Sequence, residues 1–396
     1  MAVSVQLREV VLGKTGTTNP LTTPNVEFTY VDVASVDNVS KGISSPKILV
    51  GADAPSRARK AIKSGDVLVS TIRPNLNAVA LVPDSLDGQV ASTGFCVLRP
   101  TDKVLSEYLY YFVRSPVFID SLCGLVAGAM YPAVTDGQVL DQLIQLPSIA
   151  EQRRIVDLLS RAEGIVRLRR EAQQKAAELV PAIFLEMFGD PSRNLKGFLV
   201  KPLSEVAEVI SGVAKGRKLD AIEAIAVPYM RVANVKDGYL DLSEVKTIAI
   251  KQSELQKLRI EVGDLLMTEG GDPDKLGRAA LWAGQVEVCV HQNHVFKVRS
   301  DRSKILPEYL RALAGSPYGK AYFLRVAKKT TGIASINKTQ LSAFPVIAPT
   351  LREQAAFIER VSRVEAIQMQ QSASIKVAES VFDSLLSQMF GARYGA

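Results

Sequence analysis

Two short stretches of this chain hold residue types that could do chemistry, and each lacks a partner that the chemistry needs. The Gly-Lys-Thr sequence at 13–15 matches the end of a phosphate-binding loop, but Arg8 stands where the loop's first glycine belongs. Cys289, His291 and His294 could ligate a metal. In an extended strand, however, the first two face one side and the third faces the other. These positions therefore predict neither a phosphate site nor a metal site.

Other kinds of catalysis also lack their usual residues. The chain has two histidines, and both lie in one predicted strand, so a histidine that activates a distant serine or cysteine is improbable. Glu244-Val245-Lys246 matches the tail of a metal-dependent nuclease motif, but no suitably placed Pro-Asp precedes it. The G-x-G-x-x-G fingerprint of dinucleotide binding is absent. The sequence predicts a protein that binds rather than catalyses.

Composition narrows the class of protein. A length of 396 residues allows two or three domains. The three scattered cysteines favour a reducing compartment over a disulfide framework. No apolar stretch approaches the ~18 residues of a membrane span, and the start of the chain lacks a basic region followed by an apolar one. We therefore expect a cytoplasmic protein.

Charge is distributed unevenly along the chain. The formal net charge is +7, but residues 1–149 carry a net −1 and residues 191–349 carry a net +8. A basic total normally suggests a nucleic-acid partner. Here one half of the chain lacks that excess, so charge alone does not identify the partner.

The elements that would position any site are organised by an internal repeat. Residues 147–189 align with residues 349–391 at a constant offset, and both copies begin with proline, a hydroxyl residue and a Glu-Gln pair. Ser148 with Glu151, and Thr350 with Glu353, form S/T-x-x-E capping boxes, and each copy closes on Met-Phe-Gly. Each copy therefore predicts one helix of about forty residues, roughly 60 Å long.

Apolar residues at heptad spacing predict that the two helices pair as a coiled coil. Arg169 and Gln371 fall at equivalent positions of the predicted seam, where a buried polar group can fix the register. The apolar seam residues predicted in the two copies are Ile155, Leu158, Ala162, Ile165, Ala172, Ala176, Leu179 and Ile183, and Phe357, Val364, Ile367, Ala378, Val381 and Leu385.

The segments before the two helices are diverged copies of each other. They share the order of their motifs, including Gly65-Asp66 and Gly263-Asp264. Each segment therefore predicts a mixed α+β domain that is followed by a long helix. Short strands are expected at Val67–Ile72, Phe95–Leu98, Asp264–Thr268 and Val295–Val298. The expected parts are domains at 1–146 and 191–348 and helical segments at 147–190 and 349–396.

The two halves differ most in two pairs of loops. Residues 71–77 correspond to 269–278, and residues 128–131 correspond to 330–333. Matched scaffolds with unmatched loops favour two readers of two different targets. Neutral divergence of surface loops after duplication is the alternative.

This combination resembles the specificity (S, HsdS) subunit of type I restriction-modification systems. The resemblance covers essentially the whole chain. It rests on the Leu-Pro-x-x-x-Glu-Gln sequence at 146–152, on the two long capped helices and on the two α+β halves. The second copy departs at its first position, where Ala348 replaces leucine.

The resemblance implies a non-catalytic protein with two pseudo-symmetric target recognition domains, each of which reads one half of a split double-stranded DNA site. Two long antiparallel helices would set the spacer between the half-sites. Two methyltransferase (M) subunits would dock on the helices, and restriction (R) subunits would join them. No cofactor is expected in this chain, whereas S-adenosylmethionine, ATP and Mg are expected in the partner subunits. The residues predicted to contact the methyltransferase subunits are Glu151, Gln152, Glu353 and Gln354.

The family supplies no residue motif for DNA contact, so the candidates come from loop position and side-chain chemistry. Arg, Lys, Asn and Gln read base edges, and Lys, Arg and hydroxyl groups bind phosphates. In the first domain the candidates are Lys14, Arg57, Arg59, Arg73, Asn75, Asn77 and Tyr131. In the second domain they are Lys215, Arg217, Lys218, Lys275, Arg278, Lys328 and Lys329.

Two alternatives stay open on the sequence. One is a scaffold that organises other proteins without DNA, which would account for the near-neutral first half. The other is the recognition subunit of a fused restriction-methylation enzyme of type IIB or IIG. A steep fall of DNA affinity with salt would argue against the scaffold.

Overall fold

The computed structural model describes residues 3–126, 132–217, 222–272, 275–330 and 332–391. The chain forms two compact units: the first comprises residues 1–171 and 372–396, and the second comprises residues 172–371. The division passes through two 40-residue helices, so each unit contains an α+β part and half of each long helix.

The first unit contains two larger sheets, and its α+β part leads into a long helix. The strands are β1 (Val3–Gln6), β2 (Glu27–Val31), β3 (Val36–Asp37), β4 (Gly42–Ile43), β5 (Lys47–Val50), β6 (Ala58–Ala61), β7 (Val67–Ser70), β8 (Val79–Leu81), β9 (Val90–Ser92), β10 (Phe95–Leu98) and β11 (Leu143–Leu146). They pair in the orders β5-β2-β9-β6, β10-β7-β8, β1-β11 and β3-β4. The helices are α1 (Ser106–Phe112), α2 (Pro116–Gly124), α3 (Asp136–Leu140) and the first half of α4 (Ile149–Phe188).

The second unit follows a similar plan, again with four sheets among its described residues. Its strands are β12 (Leu199–Pro202), β13 (Ala207–Ile210), β14 (Ala224–Met230), β15 (Lys246–Lys251), β16 (Leu265–Thr268), β17 (Gly270–Gly271), β18 (Ala279–Leu281), β19 (Val290–His291), β20 (Val295–Ser300), β21 (Lys328–Thr330), β22 (Ile333–Ser335) and β23 (Pro345–Ala348). They pair in the orders β13-β20-β16-β18, β15-β14-β19, β17-β22-β21 and β12-β23. The helices are the second half of α4, α5 (Leu203–Val206), α6 (Leu255–Leu258), α7 (Pro307–Gly315), α8 (Pro317–Val326), α9 (Lys338–Ser342) and the first half of α10 (Leu351–Phe390), whose second half belongs to the first unit.

The predicted strands are confirmed, and the shared Gly-Asp motif has a structural role. Asp66 is buried before β7, where it accepts a hydrogen bond from the backbone of Lys63 (2.8 Å) and two from the guanidinium of Arg99 (2.8 and 2.7 Å). Asp264 and Arg299 repeat the ion pair at 2.8 and 2.7 Å. Arg99 directly follows β10, which pairs with β7, and Arg299 lies near the end of β20, which pairs with β16. In each unit the ion pair therefore joins two neighbouring strands.

The two long helices have the predicted lengths, and they pack antiparallel within each unit. In the second unit the Gln368 amide donates to Ala176 O (2.8 Å), while Arg360 pairs with Glu186 at 2.8 Å. A later residue on α4 thus meets an earlier residue on α10. In the first unit Arg170 of α4 pairs with Glu379 of α10.

The predicted heptad register is wrong at half of its positions. On α4 the d positions Leu158, Ile165 and Leu179 are 39%, 50% and 47% exposed. The residues that follow the first two, Leu159 and Val166, are 0% and 7% exposed. On α10 Ile367 and Val381 are likewise exposed, whereas the next residue after Val381, Phe382, is buried. The second seam position of each heptad therefore lies one residue later than predicted.

The polar seam residues also need correction. Arg169 is exposed, and Arg170 instead contacts the other helix through Glu379. Gln371 is half-buried, and its Oε1 lies buried without a hydrogen-bond partner among the described residues. The two positions are therefore not equivalent in the folded helices.

Each long helix begins on one unit and ends in the core of the other. Gln152 is fully buried near the start of α4, where its Oε1 accepts from Leu105 N (2.9 Å) and its Nε2 donates to Lys103 O and Pro147 O (both 3.0 Å). Gln354 repeats these three contacts with Leu306 N, Lys304 O and Pro349 O at 2.8, 3.2 and 2.8 Å. These two amides, which we call the glutamine latches, explain the glutamine shared by both copies.

The far ends of the helices are held by aromatic packing. Phe188, near the end of α4, lies 5.1 Å from Tyr309 between ring centroids, within the core of the second unit. Phe390, at the end of α10, lies 5.2 Å from Tyr108 within the core of the first unit. Gly189 then ends α4 with the predicted left-handed backbone (φ +74°), whereas Gly391 lies outside that region.

Candidate nucleic-acid interface

The loop after β7 forms the centre of the candidate surface in the first unit. Arg73 and Asn77 have left-handed backbones, with φ of +51° and +45°. Strained backbone of this kind clusters at functional sites. Arg73 N donates to Pro132 O (2.8 Å), and Val134 N donates to Thr71 O (2.9 Å). The first variable loop therefore lies directly beside the segment that follows the second one.

Two other predicted cations lie on segments that adjoin this loop. Thr93 N donates to Arg57 O (2.8 Å), and Thr71 N donates to Gly94 O (2.9 Å), so the residue before β6 is connected to the loop through the β9–β10 turn. Arg57 is exposed, and its guanidinium has no hydrogen bond or ion pair with the residues that the structure describes. Arg59 is half-buried and donates to Ala58 O (2.8 Å). Lys14 is exposed on the loop that bridges to β6 through Thr17 and Lys60.

The two asparagines of the loop differ in exposure. Asn75 is exposed. Asn77 is only 9% exposed, and its Nδ2 donates to Val113 O (3.2 Å). Its backbone carbonyl accepts from Lys41 Nζ (2.6 Å). Asn77 therefore holds the loop in place through contacts with the interior of the unit. Tyr131 lies outside the described residues.

The second unit places its variable segments side by side in the same way. Glu269 N donates to His294 O (3.0 Å), and Ile336 N donates to Glu269 O (2.8 Å). β17, which begins at Gly270, then pairs with β22, and β22 pairs with β21. The loop after β16 and the hairpin before α9 thus form one small sheet at the position that corresponds to the first unit's loop.

The predicted cations of the second unit fall into two groups. Lys215, Lys328 and Lys329 are exposed, and their ammonium groups have no hydrogen bond or ion pair within the described part of the chain. Arg217 and Lys275 are already paired inside the chain. Arg217 donates to both carboxylate oxygens of Glu254 (2.8 Å each), which lowers the pKa of that carboxyl to about 2. Lys275 pairs with Asp272 on its own loop.

Two further candidates complete this unit. Arg278 is half-buried, and its backbone N–H donates to the Thr268 hydroxyl (3.1 Å). Lys218 lies outside the described residues. The exposed lysines are therefore the cations of this unit best placed to meet a phosphate.

Sequence reasoning missed an acid–imidazole pair on this surface. The sequence predicts a strand at His294, but β19 ends at His291 and β20 begins at Val295, so His294 lies in the turn between them. Its Nδ1 is 2.5 Å from a carboxylate oxygen of Glu269. His291, in contrast, is fully buried, and burial lowers its pKa to about 4. The equivalent of His294 in the first half is Gly94, a difference visible in the sequence.

The residues predicted to contact a methyltransferase subunit occupy the starts of the long helices. Glu151 is 40% exposed and pairs with Arg154 at 2.8 Å. Glu353 caps its helix by accepting from Thr350 N (2.8 Å). Gln152 and Gln354 are buried in the glutamine latches. A partner could therefore reach the two glutamates, whereas the two glutamines support the helix starts from inside.

Two further findings concern metal-ion sites and membrane-spanning helices. Within the described ranges, His, Cys, Asp and Glu side chains form no group of three or more that could hold a metal ion. None of the helices in those ranges is long and apolar enough to cross a membrane.

Sequence comparison with known proteins finds one domain family twice in this chain, in agreement with the repeated fold of the two units. The family model of the type I restriction modification DNA specificity domain matches residues 4–178 and again 196–377. The StySPI specificity subunit of Salmonella potsdam is 24% identical over 314 residues, which are 75% of this chain and 67% of that protein. The EcoKI specificity subunit of Escherichia coli (strain K12) is 23% identical over 322 residues, with the same two coverages of 75% and 67%.

A solved structure extends the likeness to the whole chain. It concerns the complex assembly and conformational transition of a type I R-M system, and one of its chains is 29% identical with a TM-score of 0.66. The match covers 98% of this chain and 97% of that one. Since the family model matches the chain twice and spans most of its length, this protein belongs to the family of type I restriction-modification DNA specificity proteins.

Proposed function

We propose that this chain is the DNA specificity subunit of a type I restriction-modification complex and that each unit reads one half of a split target. The observation that carries the proposal is the position of the variable segments. In the second unit the two segments that differ most between the halves pair with each other, and in the first unit the loop at 71–77 adjoins the residues that directly follow the other variable segment. Such an arrangement lets one fold present two different sets of base-reading side chains.

The two units would meet DNA phosphates from differently charged halves of the chain. The second unit presents Lys215, Lys328 and Lys329 exposed, while the first presents Lys14, Arg57 and Arg73 around a loop in a half with no excess of positive charge. Phosphate contacts supply affinity and orientation, whereas base edges supply specificity. Arg73 and Asn75, exposed at the loop centre, are the proposed base readers of the first unit.

Catalysis belongs to partner subunits in this proposal. Two methyltransferase subunits would dock at the helix starts marked by Glu151 and Glu353 and would supply S-adenosylmethionine chemistry, and restriction subunits would supply the steps that need ATP and Mg. The antiparallel helices would set the length of the unread spacer, because each residue of helix adds about 1.5 Å.

The test is a methylation map. The full chain is expressed with its cognate methyltransferase, and methylated adenines are mapped by single-molecule sequencing. A split motif with a fixed gap is expected. If a folded and assembled complex produced no new methylated motif, the proposal would be wrong.

A second measurement tests the surface. Lys328→Ala should weaken DNA binding and, as one lost phosphate contact, reduce the salt slope of log affinity by about 1, whereas Arg73→Ala should weaken binding and relax the base preference in the half-site of the first unit. Lys63→Ala is the matched control, since Lys63 is exposed in the turn before β7, at the opposite end of that strand from the loop. Equal effects of Lys63→Ala and Arg73→Ala would contradict the placement of the surface.

A further inference from the structure

The small sheet of the second unit carries an exposed apolar residue that none of the roles proposed above uses. β21 and β22 pair antiparallel from Lys328↔Ser335 to Thr330↔Ile333. All three residues of β21 are exposed, and Ile333 is 57% exposed at the start of β22. An isoleucine exposed to this extent loses the stabilisation that burial of its side chain would give.

The pairing register shows which residues share a face with Ile333. Residues directly opposite each other lie on one face of a sheet, and alternate residues of a strand return to that face. Ile333 therefore shares its face with Thr330 and Lys328. Ala334, on the opposite face, is fully buried against the core. The outer face of the hairpin thus combines an apolar group, a hydroxyl group and a free cation.

The third strand leaves this face open. β17 consists of two glycines, so it adds no side chain beside β22. A Cβ at Gly270 would lie 2.7 Å from Ala334 O, so the close pairing of β17 with β22 depends on this glycine. The open face is therefore a consequence of how the variable loop is packed.

The dimensions of the hairpin select one groove of DNA. Two strands lie about 4.8 Å apart, and their side chains widen the ribbon further. The major groove is about 12 Å wide and admits a two-stranded ribbon, whereas the minor groove is about 6 Å wide. Lys328, which shares the face of Ile333, is positioned to meet a phosphate that borders the groove.

We propose that Ile333 contacts the C5-methyl group of a thymine in the half-site read by the second unit. That methyl is the apolar group that a base pair presents in the major groove, and an aliphatic side chain directly opposite a hydroxyl group, with a cation diagonally across the strand pair, fits it. This inference rests on the proposed function and adds one specificity-determining residue to it.

The experiment removes the methyl from the DNA and the side chain from the protein. Each thymine of the second unit's half-site is replaced in turn by deoxyuridine, and affinity is measured for the full chain assembled with its methyltransferase. We expect one position at which deoxyuridine weakens binding about fourfold, the contribution of one buried methyl group. Ile333→Ala should bind thymine and deoxyuridine equally at that position.

Val262→Ala is the matched control, because Val262 is 70% exposed in the same unit but lies outside the hairpin. It should retain the fourfold preference for thymine. The proposal is overturned if the half-site has no A·T pair, if no deoxyuridine position matters, or if Ile333→Ala keeps the preference. Loss of methyltransferase from Ile333→Ala with the preference retained would identify a protein contact instead. In each of these cases a split methylated motif would still support the proposed function.

Discussion

Replacing the buried glutamine at the start of either long helix should destabilise the unit that this glutamine fastens. Gln152 makes three hydrogen bonds of 2.9 to 3.0 Å with the backbone and has no exposed surface. Gln152→Ala leaves three partly buried backbone groups without this partner, at about 1–3 kcal/mol each for full burial. Allowing for partial access of water, we expect a loss of roughly 3–5 kcal/mol in the free energy of unfolding.

The single tryptophan makes the effect assignable to one unit. Trp282 is 2% exposed in the second unit, so its fluorescence follows the unfolding of that unit, while far-ultraviolet circular dichroism follows both. Gln354→Ala should move the fluorescence transition to lower denaturant. Gln152→Ala should move part of the dichroism transition and leave the fluorescence midpoint in place.

Two further variants test the role of the Gln152 hydrogen bonds. Gln152→Glu keeps the acceptor for Leu105 N but turns an oxygen toward two carbonyl groups, so it should be at least as damaging as alanine. Glu151→Ala is the control, because the exposed Glu151–Arg154 pair is screened by solvent and contributes little to stability. A loss below about 1 kcal/mol for Gln152→Ala would refute the latch. An equal shift of the Trp282 fluorescence midpoint by Gln152→Ala and Gln354→Ala would also refute it.

Two other predictions use the same probes. Phe390→Ala should destabilise the first unit by about 3–5 kcal/mol and leave the midpoint of Trp282 fluorescence unchanged. Phe188→Ala should instead move that midpoint. The reverse pattern would contradict the packing of α4's end in the second unit and of α10's end in the first. Burial lowers the pKa of His291 from 6.5 to about 4, so the unfolded chain takes up this proton first as pH falls. The free energy of unfolding of the second unit should therefore decrease by about 3 kcal/mol between pH 6.5 and pH 4. A His291→Asn variant should show a smaller decrease over this range, and an equal decrease would assign the effect to other groups.

The sequence predicted the helix ends well because capping is local. Thr350 and Glu353 are three residues apart and satisfy each other's backbone N–H groups, as the capping box requires. The seam register depends on a partner that the sequence does not show. Leu158 and Leu159 are adjacent and equally apolar, and only the position of α10 decides which one is buried.

The candidate surface was predictable as segments rather than as side chains. Comparison of the two halves selected the variable loops. The structure pairs the two loops of the second unit, and in the first unit it places the loop at 71–77 beside residues 132–134. Asn77 and Arg217 are engaged by Val113 and Glu254, which lie 36 and 37 residues away in the chain. Composition gives no access to such distant contacts. Which cations touch DNA therefore stays a prediction.

Because α10 ends in the core of the first unit, the chain can complete the second unit before the first during synthesis. Domains usually fold from the N-terminus as the chain emerges at about 5–20 residues per second. Here the second unit is contiguous, whereas the first lacks Phe382, Leu386 and Phe390 until the last helix is made. The nascent chain must therefore hold the apolar surface of Ile155 and Leu159 uncovered for roughly 10–40 s. During that interval the surface is open to chaperones, or to the same helix of another copy.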